Sequence, residues 1–104
     1  MRMLMNVGFP TPEFNALVAA GTAGQTMMAI LEEQKPEAVY FTESHGGRGA
    51  LLVVDLADPS KVPVLAEPWF LEFNATVEFR VVMSPSELGH SGLDELGKKW
   101  APKG

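Results

Sequence analysis

The chain has 104 residues, 13 acidic and 8 basic, which gives a formal net charge of −5 and suits a single domain. This charge argues against nucleic acid as a partner, because phosphate binding needs clustered lysine and arginine. The sequence has no cysteine, which excludes a disulfide framework and favours a cytoplasmic location. It shows neither a basic-then-apolar signal pattern nor a long apolar run, so we expect neither secretion nor a membrane span.

Residues 1–9 are predicted to form a strand, because apolar residues occupy every second position. A helical region follows from Pro12, a residue that suits the first turn of a helix, and ends before Pro36. One straight helix over residues 12–34 would be about 35 Å long. A domain of this size has a radius of gyration of only about 13 Å. We therefore expect a break at residues 21–22.

The next two predicted strands are residues 37–43 and 50–57, which are rich in β-branched, aromatic and other apolar residues. The segment between them, SHGGRG at residues 44–49, has the composition of a turn. Two strands joined by a short glycine-rich loop indicate a β-hairpin.

The second crossover, residues 59–73, contains Pro63 and Pro68. Proline inside a helix removes a hydrogen bond and clashes with the preceding turn. We therefore expect short helical turns here instead of one regular helix. Residues 75–83 are the last predicted strand, with separate apolar and polar faces.

The predicted domain covers residues 1–84, and residues 85–104 form a polar tail. A short helix in this tail would place Leu93, Leu96 and Trp100 on one side. We expect this apolar side to dock on the same subunit or on its partner.

The element order β-α-β-β-α-β predicts an α+β fold, the ferredoxin-like plait, in which helices cover one face of a four-stranded antiparallel sheet. In that order the fourth strand lies beside the first. The other face also carries apolar residues, among them Leu4, Val82 and the strand 51–56, and a sheet that is apolar on both faces must be covered on both. A second copy is the simplest cover, so we expect a homodimer, or a larger assembly of dimers, built as a barrel with a small interior.

The segments EAVYFTESHGGRGALLVVDLADPS and AEPWFLEFNATVEFRVVM, in this element order, resemble small uncharacterised bacterial proteins of the dimeric α/β-barrel superfamily. The resemblance covers about residues 2–88. It implies a dimeric barrel. The polar residues Arg2, Asn6, Tyr40, Glu78 and Arg80, in an otherwise apolar sheet, are the reason to expect that this barrel binds a small organic acid or an aromatic compound. Relatives include muconolactone isomerase-like enzymes and cofactor-free monooxygenases, so an isomerase-like or monooxygenase-like activity is one expectation. A non-catalytic structural or ligand-sensing assembly module is the alternative.

Glu78 and Arg80 lie two residues apart and are predicted to share one strand face. Arg2 and Asn6 are expected on the same face of the neighbouring first strand. If a partner covers this face, these groups form a polar floor in an apolar pocket, suited to a small carboxylate or an enolate. Glu78 and Arg80 are then catalytic candidates. The alternative is a structural ion pair at the dimer interface.

His45 follows Glu43 and precedes Gly46, and a histidine near a carboxylate can act as a general base. The alternative is a solvated hairpin loop. Arg48 is predicted either to clamp an anion or to pair with a neighbouring acid. The only other histidine is His90, and no metal-binding spacing is present, so we expect neither a metal nor another cofactor.

Two aromatic residues complete the candidate ligand-binding set. Tyr40, in the second strand, either orients a ligand or packs against its neighbours. Trp69, in the second crossover, either lines a pocket or caps the core.

Overall fold

A computed structural model describes residues 1–102 of the chain. Its sheet has four strands in the order β2-β3-β1-β4, and all neighbouring strands are antiparallel. The fourth strand lies beside the first, as predicted, and the α+β plait is confirmed as an open sheet. The strands are β1 (Arg2–Phe9), β2 (Ala38–Ser44), β3 (Gly47–Asp55) and β4 (Thr76–Val81).

Three helices pack on one face of the sheet: α1 (Thr11–Ala20), α2 (Ala23–Gln34) and α3 (Val62–Phe73). The predicted break between the first two is confirmed. Gly21 ends α1 with φ 75°, and the axes of α1 and α2 differ by 105°. No single helix among the described residues has both the length and the apolar composition needed to cross a membrane, and α1 with α2 meets those criteria only as a bent pair.

The prediction of short helical turns around Pro63 and Pro68 is wrong, because α3 is one helix of 12 residues. Pro63 lies in the first turn of α3, where a backbone N–H would have no acceptor within the helix, so proline removes no hydrogen bond there. Pro68 lies inside the helix and leaves the Val64 carbonyl without its usual donor. The side-chain amide of Gln34, on α2, donates to that carbonyl at 3.4 Å and to the next one, of Leu65, at 2.8 Å. A neighbouring helix thus replaces what proline removes.

The core lies between these helices and the alternate residues of the strands. Trp69 and Phe73 of α3 are its largest fully buried side chains, and they pack against Met5 and Leu52 of the central strands. The ring centroid of Phe9 lies 5.9 Å from that of Trp69 and 5.1 Å from that of Phe73. The aromatic cluster joins the end of β1 to α3, and so holds the second crossover to the sheet.

The β2–β3 hairpin is tighter than the turn predicted at residues 44–49. Its loop has two residues, His45 with φ 51° and Gly46 with φ 80°. Two left-handed residues in succession match a type I′ turn, which suits the right-handed twist of the strands. Arg48 and Gly49 therefore belong to β3 and extend the sheet.

The tail contains α4 (Pro85–Gly89) and the predicted helix, α5 (Leu93–Trp100). Leu93, Leu96 and Trp100 are 56%, 47% and 73% exposed, so α5 does not pack on its own subunit. Docking on a partner therefore remains a prediction. The described residues extend over 65 Å, with a radius of gyration of 18.1 Å.

Candidate functional site

The three core helices leave one sheet face uncovered, and this open face carries Leu4, Asn6 and Gly8 of β1. The strand register places side chains of the other three strands beside them. Asn6 pairs with Leu51 of β3 on one side and with Glu78 of β4 on the other. Leu51 in turn pairs with Tyr40 of β2. One row therefore runs across the whole sheet, with a tyrosine at one edge and a carboxylate at the other.

The next row places Arg80 beside Leu4, which pairs with Val53 of β3. Glu78 and Arg80 point to the same face, and their Cα atoms are separated by about 6.6–7 Å, the spacing of alternate residues in a strand. Among residues 1–102, neither side chain forms an ion pair. The structure thus places Asn6, Glu78 and Arg80 next to one another, beside the apolar side chains of Leu4, Leu51 and Val53.

Arg2 lies on the same face, but its side chain is already engaged. Its Nε donates to Glu37 Oε2 at 3.1 Å and its Nη1 to Glu87 Oε1 at 3.4 Å. Arg2 therefore ties the first strand to the residue before β2 and to α4. We assign it a structural contact at the edge of the open face, separate from Asn6, Tyr40, Glu78 and Arg80.

The carboxylate that faces Arg2 belongs to a capping box at the start of α4. The Ser84 N–H donates to Glu87 Oε1 at 2.9 Å, and the Glu87 N–H donates to Ser84 Oγ at 3.1 Å. Hydrogen bonds from the Ser84 backbone and hydroxyl, followed by the charge of Arg2, lower the pKa of Glu87. This arrangement fixes where the tail leaves the domain.

A pocket of about 330 Å³ lies at the other end of the open face, between the hairpin tip and the start of α1. We call it the end pocket. Gly8 forms part of its wall, and a Cβ atom at Gly8 would lie 2.8 Å from Thr76 Oγ1 and 3.4 Å from Ser44 Oγ. The missing side chain therefore allows two hydroxyl groups to converge. Sequence reasoning missed this pocket, although a glycine within an apolar strand signals a close approach.

His45 lines the end pocket, at the exposed tip of the hairpin. The carboxylate of Glu43 accepts a hydrogen bond from the Gly46 N–H at 2.9 Å, so Glu43 stabilises the turn. His45 thus lines the end pocket together with Ser44 and Thr76, and Thr76 lies in the row of the sheet beyond Asn6 and Glu78.

Arg48 and Trp69 lie on the other side of the sheet. The Arg48 guanidinium lies 4.8 Å from the centre of the Phe14 ring and donates to Asn15 Oδ1 at 2.9 Å, so it fastens β3 to α1. Trp69 is 0% exposed, and its Nε1 donates to Gln34 Oε1 at 3.2 Å. Trp69 therefore occupies the core, and Arg48 contacts an amide instead of the acid that was one expectation for it.

A second cavity, of about 630 Å³, lies on the outer surface between α2 and α3. We call it the helix groove. Ile30, Pro68 and Leu71 are among the apolar residues that line it, together with the carboxylates of Glu33, Glu67 and Glu72. Within residues 1–102, no group of three or more histidine, aspartate and glutamate side chains is placed to hold a metal ion. The groove is thus an apolar depression with acidic side chains around it.

Comparison with known proteins finds no family model that matches the chain and no curated protein that matches it. The candidate functional sites are therefore three surfaces of the molecule: the open face, the end pocket and the helix groove. The open face holds the greatest number of the residues that the sequence singled out.

Proposed function

We propose that the chain is a homodimeric binding protein for a small organic acid, with the ligand enclosed between the open faces of two subunits. The observation that carries this proposal is the row Tyr40–Leu51–Asn6–Glu78, with Arg80 beside it, on a sheet face that the core helices leave uncovered. A second sheet would remove this face from water and turn a flat surface into a compartment.

The apolar part of the open face favours a second copy as its cover. Leu4, Leu51 and Val53 occupy the two central strands, and Tyr40 is 66% exposed at the edge. Burial of apolar surface stabilises an interface by roughly 25 cal/mol per Å². A two-fold axis over the central strands would pair this surface with itself, as in the commonest kind of oligomer.

The polar part of the face favours a carboxylate ligand. The Arg80 guanidinium can donate two parallel hydrogen bonds to one carboxylate. Glu78, on the same strand face, would then lie near the carbon atoms next to that carboxylate. Asn6 and Tyr40 supply an amide and a phenol that can orient the rest of the molecule.

This set of groups also suits proton transfer. If the acid has a double bond one carbon further along, a glutamate in an enclosed apolar compartment can take a proton from the carbon beside the carboxylate; the double bond moves next to the carboxylate, and the proton is returned to the far carbon of the original double bond. Arg80 stabilises the charge that develops on the carboxylate oxygens. Such a reaction is isomerase-like and needs no oxidant. Glu78 is its base and Arg80 its electrostatic stabiliser.

The second candidate is an assembly module in which Glu78 of one subunit pairs with Arg80 of the other. It is favoured by one specific observation: both charges lack an ion-pair partner among residues 1–102 and have opposite signs. A two-fold axis would form such pairs reciprocally. In this case the interior is filled and no ligand binds.

The experiment that separates the two combines native mass spectrometry with a ligand titration. The mass of the purified protein gives the number of subunits and reveals any molecule that remains bound. Binding of benzoate is then measured by nuclear magnetic resonance, with benzamide as the uncharged match. We expect a dimer that binds benzoate more tightly than benzamide. A monomer contradicts the proposal, and equal binding of the two probes contradicts the role of Arg80.

Two variants locate the binding site. Arg80→Met is expected to remove the preference for benzoate while the dimer persists, because the guanidinium contacts the ligand carboxylate. Arg48→Met is the matched control, since Arg48 lies on the opposite side of the sheet. If Arg80→Met and Glu78→Gln change only the stability of the dimer, the assembly module is the correct assignment.

A further inference from the structure

The helix α5 presents an apolar side that residues 1–102 of its own subunit leave largely exposed. Leu93, Leu96 and Trp100 have spacings of three and four residues, which places them on one side of a helix. All three are exposed. A helix of eight residues is marginal in water unless its apolar side is packed. This helix therefore needs a surface to pack against.

The end of α5 is also basic. Lys98 and Lys99 lie in its last turn, and Lys103 follows in the sequence, so these few residues contain three of the five lysines of an acidic protein. The Lys99 Nζ lies 5.4 Å from the centre of the Trp100 ring. The first turn of α5 carries Asp94 and Glu95, and Lys98 Nζ lies 3.5 Å from Glu95 Oε1. The matching surface should therefore combine an apolar depression with negative charge beside the C-terminal end of α5.

The helix groove between α2 and α3 has these two properties. Leu71, on its wall, is 80% exposed. The carboxylates of Glu33, Glu67 and Glu72 line the groove, and no lysine or arginine is among its described lining residues. The groove is an open depression of about 630 Å³ on the outer surface.

We infer that α5 of one chain binds in the helix groove of a second copy. The apolar side of α5 would cover Leu71 and Pro68, and its lysines would face the glutamates of the groove. Burial of a tryptophan with two leucines supplies the affinity, and opposite charges steer the encounter.

A second copy is favoured over the same chain by the way the tail is anchored. The ion pair of Arg2 with Glu87 holds α4 at the edge of the open face, and the helix groove lies in the helix layer on the other side of the sheet. To reach its own groove, α5 would have to break that contact and pass around the sheet. Reaching a neighbour's groove requires neither step.

This contact is independent of the proposed dimer, since it uses the helix layer and leaves the open face free. It would either strengthen the dimer or join dimers into a larger assembly. The partner subunit thus contributes a helix to a groove that is otherwise exposed.

The test uses the absence of cysteine from the chain. One variant carries Gln25→Cys, at the groove, and a second carries Gly97→Cys, on α5; neither replaces an apolar contact. The two are mixed and oxidised. We expect about tenfold more mixed disulfide than with the control Ala19→Cys, on the exposed surface of α1, because docking raises the effective concentration of the two thiols. A yield equal to that of the control overturns the inference.

A charge exchange gives a second readout on the full chain. Lys98→Glu with Lys99→Glu should reduce the mixed disulfide, and Glu67→Lys with Glu72→Lys on the other chain should restore it. If the chain carrying both cysteines closes an internal disulfide at low concentration, the groove is filled by its own tail and the inference is wrong.

The same disulfide is then measured with Leu51→Glu in both chains. This substitution places a charge on the open face and removes the face-to-face dimer. Persistence of the disulfide there supports docking of α5 even if the proposed function fails. If the disulfide is lost only in this background, docking of α5 depends on the open-face dimer. That result would overturn the inference that the two contacts are independent.

Discussion

Asn6 and Glu78 lie directly opposite each other in the antiparallel pairing of β1 with β4, on the open face of the sheet. Side chains in such a pair have Cβ atoms about 4.5–5.5 Å apart. The side chain of Asn6 is a neutral amide and therefore does not repel the carboxylate of Glu78. It also leaves the charge of Glu78 available to a ligand or to a partner subunit.

This pairing predicts opposite effects for two substitutions at one position. Asn6→Asp places like charges opposite each other and should lower the free energy of unfolding by roughly 0.2–1 kcal/mol. Asn6→Lys should not lower it, because its charge is opposite to that of Glu78. Urea unfolding measures both. The difference between them should shrink in a Glu78→Gln background and in about 1 M salt; if it persists in both, packing and not charge is its cause.

The two tryptophans predict a contrast for the same substitution. Trp69→Phe removes a buried ring and leaves Gln34 Oε1 without its donor, so the free energy of unfolding should fall by about 1–3 kcal/mol. Trp100→Phe, on the exposed side of α5, should change it by less than about 0.5 kcal/mol. Thermal or urea unfolding of dilute protein measures both. Equal losses would contradict the assignment of Trp69 to the core.

The open face could be predicted from sequence because it depends on two simple rules. Period-two alternation in the first and last strands separates Asn6 and Glu78 from the core residues, and the plait order makes those strands neighbours. Short-range pattern and topology were sufficient for these two residues. The position of Tyr40 in the same row follows from the register set by the two-residue turn, which the longer predicted turn at residues 44–49 did not give.

The regular helix α3 could not be predicted in this way, because its stability depends on a distant residue. Gln34, on another helix, donates to the Val64 carbonyl, which Pro68 leaves without a backbone donor. The side-chain oxygen of Gln34 also accepts a hydrogen bond from Trp69. The local sequence around Pro68 contains no sign of this contact. The side of the sheet on which Trp69 lies likewise follows only from the packing of α3.

Two glycine substitutions, one in the hairpin turn and one in α2, are expected to change the free energy of unfolding in opposite directions. Gly46 has φ 80°, in the left-handed region, so Gly46→Ala should lower the free energy of unfolding by about 1–2 kcal/mol. Gly24 lies in α2 without a positive φ, and a Cβ atom there would meet nothing within 4 Å beyond its own helix. Gly24→Ala should therefore raise the free energy of unfolding by up to about 1 kcal/mol. In urea unfolding, a Gly46→Ala variant as stable as the unchanged protein would contradict the type I′ turn, and a loss of stability in Gly24→Ala would contradict the open space at that position.

The capping box predicts how the tail responds to pH. The pKa of Glu87 is lowered in the folded chain, so its contribution to stability is present above its ordinary value near 4.5 and is lost as the pH falls through the lower, folded value. A carboxyl titration followed by nuclear magnetic resonance measures this pKa. Ser84→Ala keeps the backbone N–H, the largest cause, and removes the hydroxyl, which lowers the pKa more than the charge of Arg2 does; it should therefore raise the pKa more than Arg2→Met. A larger effect of Arg2→Met would place the ion pair above the hydroxyl of Ser84.

The end pocket predicts a steric conflict at Gly8. A Cβ atom there would lie 2.8 Å from Thr76 Oγ1, so Gly8→Ala should lower the free energy of unfolding by about 1–3 kcal/mol. Thr76→Ala removes the conflicting hydroxyl, and the double variant should recover most of this loss. Urea unfolding of the single and double variants measures the coupling between them. If the two losses simply add, the hydroxyl does not lie over Gly8, and the pocket is not formed by the missing side chain.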